Sequence, residues 1–253
     1  MKQLKIVSAI AFNSFTESVR NRFFALFCIF AFVMLYASVI ASMLAVSHEG
    51  RVLADISLLL IELIALAYAL FQVSSSMSAE MESKSVYLVL SRPVSRAAYL
   101  AGKEAGVMLT TALIIVIMGL MSASAVKLRG LHLPEFYCWA LTGSFIKVAV
   151  VTTFAFFMSL ISTSNISTFV ISCIFWILGH FTAELVPLMA KASGVKLFTY
   201  KVFEIIFPNL GVFSVRDAAY AGCPFTAGGT AAALMWMTAA YLISLWLFLK
   251  KEF

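Results

Sequence analysis

Four ionisable residues lie within long apolar stretches of the sequence: Glu62, Lys147, His180 and Glu184. Counted at 1.5 Å per residue from the outer ends of those stretches, all four fall about 6–12 Å deep in a bilayer. A lone charge there costs about 2.5–3.5 kcal/mol on the insertion scale, so each needs a partner or water. Lys147 with Glu62 or Glu184 is the economical pairing. Two interpretations stay open: a polar lining of a pathway, or an ion pair that fixes helices in a bundle.

Other chemistry would need motifs that the sequence lacks. It contains no G-x-x-x-x-G-K-[ST] loop to hold nucleotide phosphates, and no H-E-x-x-H, C-x-x-C or G-x-S-x-G. The twelve methionines are scattered through apolar stretches, where methionine usually serves packing. We expect no metal, cofactor or catalytic site on this chain. The enzymatic alternative is an intramembrane enzyme acting on lipid, with Glu62, His180 and Glu184 as acid–base groups.

The composition is that of a membrane protein. The 253 residues are 62% apolar and 12% charged, against roughly 45–50% and about 25% in soluble domains. Such a chain lacks the charge to cover a soluble surface, so lipid must be its solvent. The net charge of +6 does not indicate nucleic acid, because the cations flank apolar stretches and there orient helices in a membrane. We predict a single membrane domain, 1–253, in the inner (plasma) membrane.

Six stretches are long and apolar enough to cross a bilayer as helices, which takes about 20 residues. They are Phe23–Val46, Ile56–Val73, Gly106–Val126, Leu141–Ile161, Phe169–Leu188 and Thr230–Leu249. Helices are favoured over barrel strands, because none of these stretches alternates between polar and apolar residues. The predicted fold class is all-α, with six transmembrane helices.

Positive charge predicts which way the helices run. Ten cations lie on the N-terminal side of the membrane: Lys2, Lys5, Arg20, Arg22, Lys84, Arg92, Arg96, Lys103, Lys250 and Lys251. Three lie in the two short loops on the other side: Arg51, Lys127 and Arg129. Ten against three places both termini in the cytoplasm. Cys138 and Cys223 then fall on the outer side, where they could form a disulfide, although only the topology pairs them.

Residues 1–22 predict an amphipathic helix. Its apolar face would carry Leu4, Val7, Ala11, Phe15 and Val19. Its polar face would carry Lys2, Lys5, Asn13, Thr16 and Arg20. Such a helix lies in the inner membrane interface before the chain enters the first span. An ordinary solvated N-terminal helix is the alternative.

The cytoplasmic segment 78–104 carries strong helix signals. Ser78 would cap a helix with two glutamates in its first turn, which must end before Pro93. Ser95 would cap a second helix, Arg96–Lys103, that continues into the third span. Two short helices around a rigid corner would make a docking surface. A plain connector with good caps is the alternative.

Four segments resemble the ABC-2-type transporter permeases, in particular the six-span branch that includes the permease of nitrous-oxide-reductase maturation. They are NSFTESVRNRFF (Asn13–Phe24), EMESKSVYLVLSRPVSRAAYLAGK (Glu80–Lys103), FPNLGVFSVRDAAYAG (Phe207–Gly222) and LFLKKEF (Leu247–Phe253). The likeness runs through the chain in order and spacing. Its most specific residues are Glu80, Glu82, Ser91, Arg92, Pro93, Arg96, Gly102 and Lys103, followed by Pro208-Asn209-Leu210.

The resemblance implies a permease subunit of an ATP-driven exporter. It would pair with a second permease, often a copy of itself, above two separate ATPase subunits that hold ATP and Mg. Contact with the ATPase would involve Lys2–Arg22 and a coupling set: Glu80, Glu82, Lys84, Arg92, Pro93, Arg96 and Lys103. A reentrant part of the outer segment 189–229, Val195–Phe213 with Pro208 and Asn209, would cap the pathway. A membrane anchor or assembly factor that transports nothing is the remaining alternative.

Overall fold

The computed structural model describes residues 2–43, 49–82, 94–162, 164–189, 194–214 and 227–250. In chain order its helices are α1 (Lys2–Arg20), α2 (Arg22–Ser42), α3 (Glu49–Glu82), α4 (Arg96–Leu128), α5 (Tyr137–Ile161), α6 (Asn165–Met189), α7 (Val195–Ile206) and α8 (Ala227–Lys250). All except α1 and α7 are long and apolar enough to cross a membrane. The predicted all-α fold with six spans is confirmed, and it indicates a multi-pass membrane protein.

The inner helices of the bundle are α3, α4 and α5. In α3 and α5, 67% of the most apolar 18-residue window is buried, against 17%, 28% and 22% in α2, α6 and α8. Since these outer helices are apolar, their exposed side chains suit lipid or another protein and not water. Polar side chains inside the bundle must therefore find their hydrogen-bond partners chiefly on α3, α4, α5 and the helix faces that pack against these three.

The helix α3 is longer than the second predicted span. It runs unbroken through Ser78 to Glu82, so the prediction that Ser78 starts a new helix is wrong. Two serines one turn earlier already lie inside the helix: the hydroxyls of Ser74 and Ser75 donate to the carbonyl oxygen of Phe71, at 3.1 and 2.8 Å. Serine that bonds one turn back in this way sits inside a helix instead of capping one.

The start of α4 agrees with the sequence. Ser95 has extended backbone angles, and its Oγ accepts a hydrogen bond from the backbone N–H of Ala98 at 3.2 Å. That is the N-cap arrangement. From Arg96 the helix continues without a break to Leu128, so the predicted cap and the predicted continuation into the third span are both confirmed.

The N-terminal helix α1 packs along the first half of α4. Its buried face includes Ala11, which belongs to the predicted apolar face, but also Ser14 and Ser18, which are 4% and 0% exposed. Gly106 of α4 lies directly opposite Ala11 and Ser14, and Gly102 lies opposite Ile10. A glycine pair spaced by three residues lets two helix backbones approach closely. We call the side of the bundle that holds α1 the N-terminal side.

The segment between α6 and α8 folds back onto the bundle. After α7, a one-turn 3₁₀ helix spans Leu210–Phe213, and Leu210 is fully buried against Gly179 of α6. The indole N–H of Trp236 in α8 donates to the carbonyl oxygen of Ile205 at 3.2 Å. The segment is thus fixed to both neighbouring helices.

Candidate functional site

A buried ion pair joins two inner helices. Nζ of Lys147 on α5 donates to Oε2 of Glu62 on α3 at 2.9 Å, and the two side chains are only 6% and 7% exposed. Oγ of Ser144, one turn from Lys147, donates to the same oxygen at 3.3 Å. Of the two acids that the sequence offered to Lys147, the structure selects Glu62.

His180 completes this group, which we call the intramembrane cluster: Glu62, Ser144, Lys147 and His180. Nε2 of His180 on α6 lies 3.4 Å from Oε1 of Glu62. Glu62 lies 13 residues from the start of α3 (62 − 49), and Lys147 lies 10 from the start of α5 (147 − 137). At 1.5 Å per residue these are about 20 and 15 Å from the helix ends. Three helices therefore meet well inside the bundle.

Glu184 does not belong to the cluster. It lies one turn beyond His180 on α6 and is exposed. A charge that reaches solvent or lipid headgroups needs no buried counter-ion, so Glu184 does not need Lys147 as its partner. It is the natural control residue for the other three.

A cavity of about 180 Å³ opens beside the cluster. It is lined by Leu59, Glu62, Leu63, Lys147, Trp176, His180 and Ser214. Two buried polar atoms of this lining, Oε1 of Glu62 and Nε1 of Trp176, have no hydrogen-bond partner among the described residues. A cavity with unsatisfied polar walls is a place for water or a polar group, since dry cavities in proteins are apolar.

A second charged group lies at the N-terminal side. Lys103 of α4 forms ion pairs with Glu80 of α3 and, at 3.5 Å, with Glu17 of α1. The hydroxyl of Tyr99 also donates to Glu80. The Lys103 side chain is 9% exposed and that of Glu80 is 19% exposed. We call these residues the N-terminal network; it links α1, α3 and α4.

Arg96 contacts a different helix. Its Nη1 donates to the carbonyl oxygens of Phe248 and Leu249 near the end of α8, both at 3.1 Å. A cation at a helix C-terminus satisfies free carbonyls and interacts favourably with the helix dipole. The hydroxyl of Tyr241 donates to the carbonyl oxygen of Ala97 at 3.0 Å. The end of α8 is therefore fixed to the start of α4.

One buried acidic residue, Glu104, is not among the site residues predicted from the sequence. Glu104 of α4 is 7% exposed, and its Oε1 accepts from Oγ1 of Thr153 on α5 at 2.6 Å. No cation pairs with it in the part of the chain that the structure describes. Glu104 stands two residues before the predicted span Gly106–Val126, at the end of the predicted cytoplasmic segment 78–104, so its burial is not expected from the sequence. The packing of α4 against α5 encloses it.

The remaining predicted residues are placed in part. Pro208 is buried and Asn209 is half-buried, with Oδ1 of Asn209 lacking a partner among the described atoms. Lys84, Arg92 and Pro93 lie outside the described residues, as does Cys223, and only the backbone of Glu82 is described.

Within the described ranges, no three His, Cys, Asp or Glu side chains come together as a metal site requires. A scan against protein-family models gives no match for the chain, and no curated protein matches it.

Proposed function

We propose that the chain is the membrane-spanning permease subunit of an ATP-driven exporter. Two copies form the pathway in the inner membrane, and two separate ATPase subunits dock on the N-terminal side, which is cytoplasmic. The observation that most supports this is the N-terminal network. It joins α1, α3 and α4 at the surface where the sequence resemblance places the ATPase contact, and Glu80 and Lys103 belong to that resemblance.

The network suggests how a push from the ATPase travels inward. Because Lys103 holds both Glu17 and Glu80, a displacement of α1 carries the ends of α3 and α4 with it. Glu80 and Glu62 stand 18 residues apart on the unbroken α3 (80 − 62), about 27 Å along its axis. A tilt of α3 at one end therefore moves the intramembrane cluster at the other. Alternating access requires this kind of rigid element.

The outer faces supply the other contacts of the proposal. Apolar side chains on α2, α6 and α8 are exposed along the bundle, which suits lipid and a second permease copy. We assign α1 to the cytoplasmic membrane interface, where its exposed Phe12 would meet lipid. The α7 segment with its 3₁₀ turn is the reentrant cap on the outer side, with Pro208 and Asn209 at its turn.

Copurification with an ATPase tests the proposal. Glu80 forms an ion pair with Lys103 inside the chain, so a substitution that tests the ATPase contact should leave Glu80 unchanged. We expect the double charge reversal Glu82→Lys/Arg92→Glu to reduce the amount of ATPase recovered with the tagged permease by roughly tenfold. A loss of affinity of this size corresponds to the loss of one or two charge contacts. Insertion into membranes should be unchanged. Reversal of exposed Arg51 to Glu on the far side is the matched control.

An ATPase partner that never appears with the unmodified chain would refute the proposal. If the ATPase copurifies but vesicles containing the complex move no substrate on ATP addition, the chain is an anchor and not a permease. Stimulation of ATP hydrolysis by a candidate substrate separates these outcomes.

Topology gives a second test. A reporter active only in the cytoplasm should be active when fused after Phe253 and silent when inserted before Glu49. The even number of spans supports placing the two positions on opposite sides, and the ten-to-three distribution of cations favours the cytoplasm for Phe253. Activity at Glu49 would reverse the orientation and move the proposed ATPase surface to the wrong side.

A further inference from the structure

The hydrogen bond made by the His180 ring fixes one of its protons. Nδ1 lies 3.0 Å from the carbonyl oxygen of Trp176, one turn earlier in α6. A carbonyl oxygen only accepts, so Nδ1 must carry the hydrogen. In the neutral ring, Nε2 is then a bare acceptor.

That bare nitrogen faces a carboxylate oxygen. Nε2 of His180 is 3.4 Å from Oε1 of Glu62, and Oε1 is buried without a donor among the described residues. Two acceptors at this separation repel each other, and a buried carboxylate oxygen without a donor costs free energy. A single proton on either atom turns the same contact into a donor–acceptor pair.

We propose that Nε2 of His180 and Oε1 of Glu62 bind one exchangeable proton between them. The ligand of this site is a hydrogen ion, taken from water in the adjacent cavity and returned to it. The site does not depend on the ATPase, on the substrate or on the exporter assignment. It would make the packing of α3 against α6 responsive to pH.

The cavity provides the route for exchange. Its volume of about 180 Å³ accommodates several water molecules. The His180 side chain is 31% exposed, so the ring edge can reach that water. The indole N–H of Trp176, which is also in the lining and has no partner among the described residues, would donate to the same water.

The surrounding charges make the proton exchangeable instead of permanent. The elements packed against α6 are α3, α5, α7 and the 3₁₀ turn. Those that line the cavity contribute Glu62 from α3, Lys147 from α5 and the uncharged Ser214. Without the added proton, Glu62 and Lys147 cancel; with it, the cluster carries one positive charge. Attraction to Glu62 and repulsion from Lys147 therefore oppose each other.

NMR of the histidine ring tests the site directly. The sequence has three histidines, so His48→Gln/His132→Gln leaves His180 alone. With ¹⁵N-labelled histidine, we expect both ring nitrogens protonated near pH 4 and the Nδ1–H tautomer near pH 9. A neutral ring protonated at Nε2, or no titration over about pH 4–9, would overturn the proposal. This measurement leaves the cluster unaltered.

A second arm asks whether Glu62 shares the proton. In the same background, Glu62→Gln should displace the midpoint of the His180 titration by about one pH unit or more. Glu184→Gln, an exposed acid one turn away on α6, should leave the midpoint in place. Equal displacements would show that Glu62 has no special part. Because the readout is spectroscopic, its failure would be separate from any failure to find an ATPase.

Discussion

Lys147→Met should destabilise the protein by about 3–5 kcal/mol, because it leaves Glu62 buried without its cation. The two side chains are 6% and 7% exposed and 2.9 Å apart, so bulk water does not replace the lost ion pair, and the hydroxyl of Ser144 that remains on the same oxygen is uncharged. The variant Lys147→Met/Glu62→Gln should recover most of the loss, since it removes both charges and keeps the volumes. Thermal unfolding in detergent at about pH 8, where histidine is ordinarily neutral, measures the difference.

The matched control pairs the same lysine change with the exposed acid. Lys147→Met/Glu184→Gln should be as unstable as Lys147→Met alone, because Glu184 is outside the cluster. If the cluster were fully hydrated, water would solvate the orphaned Glu62 and each single variant would unfold almost normally. Strictly additive losses for Lys147→Met and Glu62→Gln would show that the pair is not coupled.

The sequence predicts the six spans well because each is a long apolar stretch, and little else produces such a stretch. It does less well at their ends. Hydropathy counts only residues within the hydrocarbon, whereas α3 and α4 continue as helices beyond it to Glu82 and from Arg96. That is why the sequence predicts a helix start at Ser78, although α3 runs past it without a break.

The site was predictable in part of its membership but not in its pairing. Insertion cost singles out Glu62, Lys147 and His180, but it also selects Glu184, which is exposed, and it gives no signal for Ser144. Which acid meets Lys147 depends on the rotation of three helices about their axes, and no single-sequence pattern specifies that. In the N-terminal network, Glu80 and Lys103 were expected to face a partner protein. Their contacts with each other and with Glu17 arise from tertiary packing.

The contact of α1 with α4 leads to the other large expected effect. A methyl group added at Gly106 would lie 2.5 Å from Cβ of Ser14 and 2.9 Å from the carbonyl oxygen of Ala11. One of these neighbours is backbone, so no side-chain rotation can relieve the overlap and the two helices must move apart. Such overpacking typically costs about 1–3 kcal/mol. We therefore expect Gly106→Ala to destabilise the protein, although alanine is the better helix former.

A glycine-to-alanine substitution at an open helical position should have the opposite effect on stability. A methyl group at Gly228 in α8 meets no atom of the described residues within 4 Å, so Gly228→Ala should be neutral or stabilising by up to about 1 kcal/mol. Adding Ser14→Gly to Gly106→Ala should restore part of the loss, because it removes the nearer of the two obstacles. Thermal unfolding of the four proteins in detergent is the measurement.

In the proposed exporter, separation of α1 from α4 would also weaken the ion pair between Lys103 and Glu17. Gly106→Ala should then lower substrate-stimulated ATP hydrolysis more than Gly228→Ala does. Equal stability of the Gly106→Ala and Gly228→Ala proteins would show that α1 is not packed on α4 as described.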